Sequence, residues 1–319
     1  MPTTYSAPWR GNLPVLFLPI ASQTGRSMGQ STKGVAMASI SFNATTIGYD
    51  AQDALTLGHC ADVAYLPDLS GIATEMALRF TVSDAVVKLF VSDNIQAYAF
   101  NGPKEIVVAF RGTEPAVLRD WYTDFDSRLI ACPLPGAGRV HDGFWCGAER
   151  VWSDLRSLLL AWSAPAKPIW ICGHSLGGAM ALLTAVQLCC DAALHGAFCG
   201  LYTYGQPRVG DSSFASFVNR ALGTRYFRFV NNLDIVPHVP PALISQYRHG
   251  GCMVYFDEDG DAVVSPSPLA EMVDDVAGEV KALMRIDPAA QITDHLMRDY
   301  LPLLEKIASL VTQAMPMAA

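Results

Sequence analysis

Residues 173–177 read "GHSLG", a G-x-S-x-G pattern with Ser175 at its centre. A serine between glycines can serve as a nucleophile, because the glycines allow a sharp turn that presents the hydroxyl at the end of a sheet. Alone the pattern is weak, since small residues also gather at helix starts for packing. Its flanks strengthen it: "PIWIC" before it reads as a buried strand and "GGAMALLTAVQLCCDAAL" after it as a helix. Strand, turn and helix in that order are the setting of a nucleophile elbow. The N-terminus of the helix also favours negative charge developing there.

A serine hydroxyl needs a base to take its proton and an acid to orient that base. His174 is adjacent, but neighbouring side chains diverge at such a turn, so its ring is expected to pack rather than to reach the Ser175 proton. For the acid, Asp234 stands in "RYFRFVNNLDIVPHVPP", after an apolar strand and a polar break. A carboxylate just past the carboxyl end of a strand is where an α/β sheet carries its site, although an aspartate capping an ordinary turn would look the same. His295, late in the chain in "ITDHLMRDY", completes the order Ser, Asp, His and is the candidate base. Attack on an ester carbonyl leaves charge on its oxygen, and the backbone N–H of Leu176 is positioned to receive it.

Such a group requires a rigid frame. "YDAQDALTLGHCADVAYL" carries Ala54, Leu57, Ala61 and Tyr65 at helical spacing and predicts the first helix. "VVKLFVS", "IQAYAF" and "EIVVAF" read as strands, the last buried on both faces. "GAERVWSDLRSLLLAWSA" and "SSFASFVNRAL" read as helices between further strands "LYTYG" and "RYFRFV". This alternation predicts a mostly parallel sheet covered by helices on both faces. "MVYFDEDGDAVV" reads as a hairpin turning at Asp-Gly. Its acids lack the spacing and closing glutamate of a calcium loop. "LAEMVDDVAGEVKALM" and "HLMRDYLPLLEKIASLVTQAM" read as closing helices, whereas residues 1–48 show no period and are expected to form an arm on the main body.

Taken together and in order, "VVAFRGT", "DWYTDF", "VHDGF", "GHSLGGAMALL", "YGQPRVG", "NNLDIVPHVPP", "YRHGG" and "DHLMRDY" resemble the motifs of the class 3 lipases, the family of the filamentous-fungal triacylglycerol lipases. The resemblance runs from about residue 49 to 300. It implies an α/β-hydrolase fold in a single domain over 49–319, with a helical lid at about 114–129. By motif it implies Ser175 as nucleophile, Asp234 as orienting acid and His295 as base, with Thr113, the residue after "FRG", as the second oxyanion donor. His141, His238 and His249 fall on positions other than the base, and His249 is the runner-up for that role. His59 and His195 match no motif. Val236 and Leu296, beside the acid and the base, are implied to line the acyl groove. In "EPAVLRDWYTDFDSRL", Val117, Leu118, Trp121, Tyr122 and Phe125 share a helical face, as a lid over a lipid site requires.

The implied activity is hydrolysis of carboxylic esters through an acyl-serine, with triacylglycerol as the leading substrate and an oil–water or membrane interface as its setting. A short-chain carboxylesterase or a phospholipase A1 would use the same chemistry. A lipase-like binding protein without activity would lack one member of the triad. No cofactor, metal or protein partner is implied. A net charge of −8 without a basic cluster argues against nucleic acid, and no apolar run reaches the ~18 residues needed to span a bilayer. The eight cysteines form no C-x-x-C pair and read as reduced, buried thiols, while "NLPVLFLPIAS" makes a poor signal peptide. A cytoplasmic location is therefore expected over secretion.

Overall fold

The computed structural model describes residues 42, 48–81, 86–93, 95–113, 128–163, 167–232, 234–242, 245–265 and 295–314. Two helices, α1 (Ala51–Val63) and α2 (Leu69–Phe80), precede strands β1 (Val86–Ser92), β2 (Ile95–Asn101) and β3 (Ile106–Phe110). Short strands β4 (Leu129–Ala131) and β5 (Arg139–His141) lead into α3 (Asp142–Trp162). Then follow β6 (Ile169–His174), α4 (Leu176–Cys190), β7 (Phe198–Tyr204), β8 (Gly210–Asp211), α5 (Ser212–Leu222) and β9 (Tyr226–Asn231). The chain closes with β10 (Tyr247–Arg248), β11 (Cys252–Phe256), β12 (Ala262–Ser265) and α6 (Met297–Ala314).

Among the described residues, eight strands form one sheet in the order β1-β2-β3-β6-β7-β9-β11-β12. The centre, from β3 through β6, β7 and β9 to β11, is parallel, and the outer pairings at both ends are antiparallel. Alternation along the strands assigns side chains to two cores. Ile106, Val108 and Phe110 of β3 face α3, α4 and α5, where Phe144, Leu155, Leu183, Val186 and Val218 meet them. Val107 and Ala109 face the other way, with Trp170, Tyr202 and Tyr204, onto α1, α2 and α6. Period-2 alternation thus builds a helix–sheet–helix sandwich. It bears out the expected fold class.

The helices form for readable reasons. Asp50 caps α1 by accepting the N–H groups of Gln52 and Asp53 at 2.8 and 3.0 Å, which satisfies donors that have no intrahelical acceptor. Ala54, Leu57 and Ala61 are buried as their spacing predicts, and Tyr65 stands just beyond the helix end. Residues 177–188 of α4 are all buried, so this helix lies enclosed rather than on the surface. The hairpin at Asp-Gly forms between β11 and β12.

Some elements escape sequence reasoning. Helix α2 buries only Ile72 and Met76 among its described positions, too few to leave a period. A second, four-stranded sheet, β10-β8-β5-β4, consists of runs of two or three residues, which carry no alternation at all. Of the arm expected over 1–48, Phe42 and Gly48 are described, and Phe42 stacks on Trp170 at 5.2 Å. The rest of the arm, the lid up to residue 127 and the helix expected at 269–284 lie outside the described residues.

Candidate active site

Strand β6 ends at His174 and helix α4 begins at Leu176, so Ser175 is the whole of the turn between them. Its backbone sits at φ 58° and ψ −130°, a conformation that costs an L-residue on the order of 1–3 kcal/mol. Close packing imposes it. A Cβ on Gly173 would lie 2.3 Å from the Gly177 carbonyl oxygen, and one on Gly177 would lie 2.3 Å from the Phe110 carbonyl oxygen. Only glycines let α4 approach both its own strand and the end of β3 this closely. The Ser175 N–H donates to the Tyr204 carbonyl at 2.8 Å, anchoring the turn to β7.

Asp234, three residues beyond β9, is buried with its carboxylate fully used. Oδ2 accepts from His295 Nδ1–H at 2.7 Å and from the Tyr300 hydroxyl at 2.5 Å, while Oδ1 accepts from the Val236 N–H at 2.9 Å. Burial alone would raise its pKa. The adjacent His295 and these hydrogen bonds outweigh that and hold it below the ordinary aspartate value. The pairing fixes the tautomer of His295: with Nδ1 protonated, Nε2 of the neutral ring is the proton acceptor. Both His295 Nε2 and Ser175 Oγ are buried without a hydrogen-bond partner. No hydrogen bond joins them in this structure; such contacts commonly tighten only when substrate is bound.

The turn after β3 reaches the same place. A Cβ built on Gly112 would meet Tyr65 Oη at 2.3 Å, the His174 carbonyl oxygen at 2.6 Å and Ser175 Cβ at 2.9 Å. Thr113, half-buried, follows directly, and Leu176 opens α4, whose first N–H groups have no intrahelical acceptor. Val236 is buried in the short turn that caps Asp234, and Leu296 is half-buried beside His295. Trp121, Tyr122 and Phe125 lie outside the described residues.

Sequence reasoning does not single out three contributors. Gly205, at φ 59°, would drive a Cβ to 2.6 Å from Asp234 Oδ2 and 2.7 Å from the His295 ring, so the Asp234–His295 pair fits only against glycine. Its signal is visible in hindsight in "YGQPRVG". Tyr300 and Tyr65 announce themselves only through tertiary contacts. His174 does more than pack, for Nδ1 lies 2.6 Å from the Tyr65 hydroxyl and Nε2 hydrogen-bonds the backbone oxygen of His295.

The remaining histidines are engaged elsewhere. His141 caps α3 by accepting the Phe144 N–H at 3.1 Å, and His249 Nε2 donates to the Pro237 carbonyl at 2.7 Å. Arg79 donates to His59, and His195 bonds the carbonyl of Ala192. The His238 carbonyl accepts from buried Arg208 at 2.5 Å. His249, the runner-up base, is held by the loop that follows Asp234.

Comparison with known proteins accords with this geometry. Residues 107–244 match the family model Lipase (class 3). The solved lipase of Rhizopus microsporus var. chinensis is 30% identical, with a TM-score of 0.55 over 72% of this chain and 83% of that one. The chain belongs to the class 3 lipase family. Other members extend the likeness. A solved triacylglyceride lipase of Rhizomucor miehei gives a TM-score of 0.61 at 26% identity, over 75% of this class 3 lipase and 92% of that chain. A curated Rhizomucor miehei lipase is 36% identical over 166 residues, and a secreted mono- and diacylglycerol lipase of Fusarium solani is 38% identical over 152. These matches take in 51% and 47% of this chain but only 45% and 43% of the two relatives, so it spans less than half the length of the curated proteins it matches.

The relatives overturn the cytoplasmic expectation, because the Fusarium protein and a similar Malassezia globosa lipase are both named as secreted. The misleading cue is physical. Of the cysteines of this class 3 lipase, only Cys60 and Cys172 are fully buried, while Cys146 and Cys190 are exposed. A buried thiol packs as a small apolar group in any compartment, so it reports on the core and not on location. Among the described residues, no helix is long and apolar enough to cross a membrane.

Proposed function

We propose that this class 3 lipase hydrolyses carboxylic esters of acylglycerols, outside the cell, through an acyl-serine intermediate. The observation that carries this reading is the buried Asp234–His295 pair, whose Nε2 is left unpartnered, as is the Ser175 hydroxyl. Residues 49–319 act as one catalytic unit in this reading. His295 Nε2 takes the Ser175 proton as Oγ attacks the ester carbonyl, and the resulting imidazolium is steadied by the Asp234 carboxylate. The oxyanion is received by backbone N–H groups of Leu176 and Thr113, with the Thr113 hydroxyl added; loss of one such donor costs on the order of a hundredfold or more in rate. His295 then returns the proton to the leaving alcohol, and water activated by the same ring releases the fatty acid.

Val236 and Leu296 flank the acid and base and serve as walls for the acyl chain. The segment 114–129, with Trp121, Tyr122 and Phe125 on its apolar face, is the lid that a lipid surface draws aside. A panel of substrates tests the assignment. Rates on p-nitrophenyl butyrate, long-chain triglyceride emulsion and phospholipid vesicles are measured for the wild type and Ser175→Ala. Emulsion turnover that Ser175→Ala abolishes is the expected result. Activity confined to dissolved butyrate would make the protein a short-chain esterase, and preference for vesicles would make it a phospholipase.

A further inference from the structure

The contacts of His174 tie the base to the nucleophile by a route separate from the reacting atoms. A carbonyl oxygen can only accept, so the contact to the His295 backbone oxygen requires a proton on His174 Nε2. Burial, reinforced by the nearby His295, lowers the His174 pKa to about 3, so the ring is neutral at ordinary pH and its Nδ1 is bare. The Tyr65 hydroxyl, 2.6 Å from that nitrogen, is therefore the donor. The His174 and His295 rings also lie in contact, with centroids 4.5 Å apart.

Three segments meet in this chain of two hydrogen bonds: the end of α1 through Tyr65, the elbow through His174, and the base through its own main chain. His174 and Ser175 are joined by a peptide bond, so a bond from His174 to the His295 carbonyl sets where the base's backbone stands relative to the nucleophile's. Asp234 orients the ring of His295; nothing in that pairing fixes the distance to Ser175. Tyr65 also abuts Gly112 in the turn that carries Thr113, so the same hydroxyl bears on the oxyanion side.

We propose that His174 and Tyr65 are positioning residues, acting as a relay that holds the His295 main chain at working distance from Ser175. The proposal rests on the functional reading above. Because misplacement by about 1 Å can cost a hundredfold, His174→Leu, which removes the donor, should lower kcat by about 10- to 100-fold with KM within about threefold. His174→Gln carries an N–H donor near the position of Nε2 and should stay within about fivefold of wild type on the same reasoning. Tyr65→Phe should lower kcat by about three- to tenfold, and combined with His174→Leu it should add nothing, as for residues acting through one another.

A second readout does not depend on turnover: the downfield proton resonance of His295 Nδ1–H against Asp234, observed by NMR. It should persist in His174→Gln and in Ser175→Ala, and shift or broaden in His174→Leu and Tyr65→Phe. Should His174→Leu fail to fold, Tyr65→Phe, which loses a single oxygen, carries the test in both readouts. Equal kcat in the Leu and Gln variants, or a His295 resonance unmoved by Tyr65→Phe, overturns the relay. If Ser175→Ala turns over ester like wild type, the functional reading falls instead, and the resonance still decides whether the relay exists.

Discussion

Asp234 has to remain an anion inside the protein, and three hydrogen bonds, one of them from His295, make that possible. Its folded pKa is lowered, so the unfolded chain binds its proton more readily and the ionised form stabilises the fold. That contribution is whole above the unfolded value of about 4. It disappears as pH falls through the depressed folded value. Urea unfolding should therefore show a stability gap between wild type and Asp234→Asn that is constant from pH 7 to 5 and narrows in stronger acid; a gap that widened in acid would contradict the account of a buried carboxylate held ionised by its hydrogen bonds. His174 is displaced in the same direction, from 6.5 to about 3. Neutral in the fold, it costs stability as pH drops across that window, so His174→Gln should lose less stability than wild type between pH 7 and pH 4. The same unfolding series checks both signs.

At the scale of elements, the elbow is where sequence and structure agree most closely. A G-x-S-x-G run between a buried strand and an apolar helix can satisfy its packing in few ways, so the turn at Ser175 is legible from local pattern alone. Gly173→Ala should destabilise by at least the ~1–3 kcal/mol typical of overpacking, because its Cβ would press on backbone atoms that cannot rotate away. Thermal unfolding measures this directly, and an unchanged midpoint would mean that the close strand–helix approach is absent. The partners of the site are less legible, since their roles arise between distant segments. Tyr65 and His174 are separated by 109 positions and Tyr300 and Asp234 by 66, and no periodicity links them. Gly205 is similar: its need for a bare Cα follows from what the folded chain brings above it. The short strands of the second sheet left no trace because two or three residues cannot show an alternation.

For the whole molecule, the parallel centre of the sheet directs the carboxyl ends of β3, β6 and β9 toward one edge, and the segments after those ends carry Thr113, Ser175 and Asp234. The resemblance in the motifs therefore extends to a shared architecture. Location could not be read in the same way, because cysteine burial reflects packing while export depends on signals that composition does not reveal. The proposed lid belongs to this scale, since it would couple the site to a surface much larger than any substrate. Replacing Trp121, Tyr122 and Phe125 together by serine should reduce hydrolysis of a triglyceride emulsion far more than that of dissolved butyrate ester. An equal loss on both would remove the segment from interfacial recognition.

The central claim is that Ser175 is a nucleophile activated by the Asp234-paired His295. Intact-protein mass spectrometry after exposure to a fluorophosphonate measures it most directly. The wild type should gain one phosphonyl group, mapped to the peptide bearing Ser175, at a rate that drops by about a thousandfold or more in His295→Ala, as loss of a base in a triad does. Labelling at another residue, or at Ser175 with a rate indifferent to His295, would contradict the account.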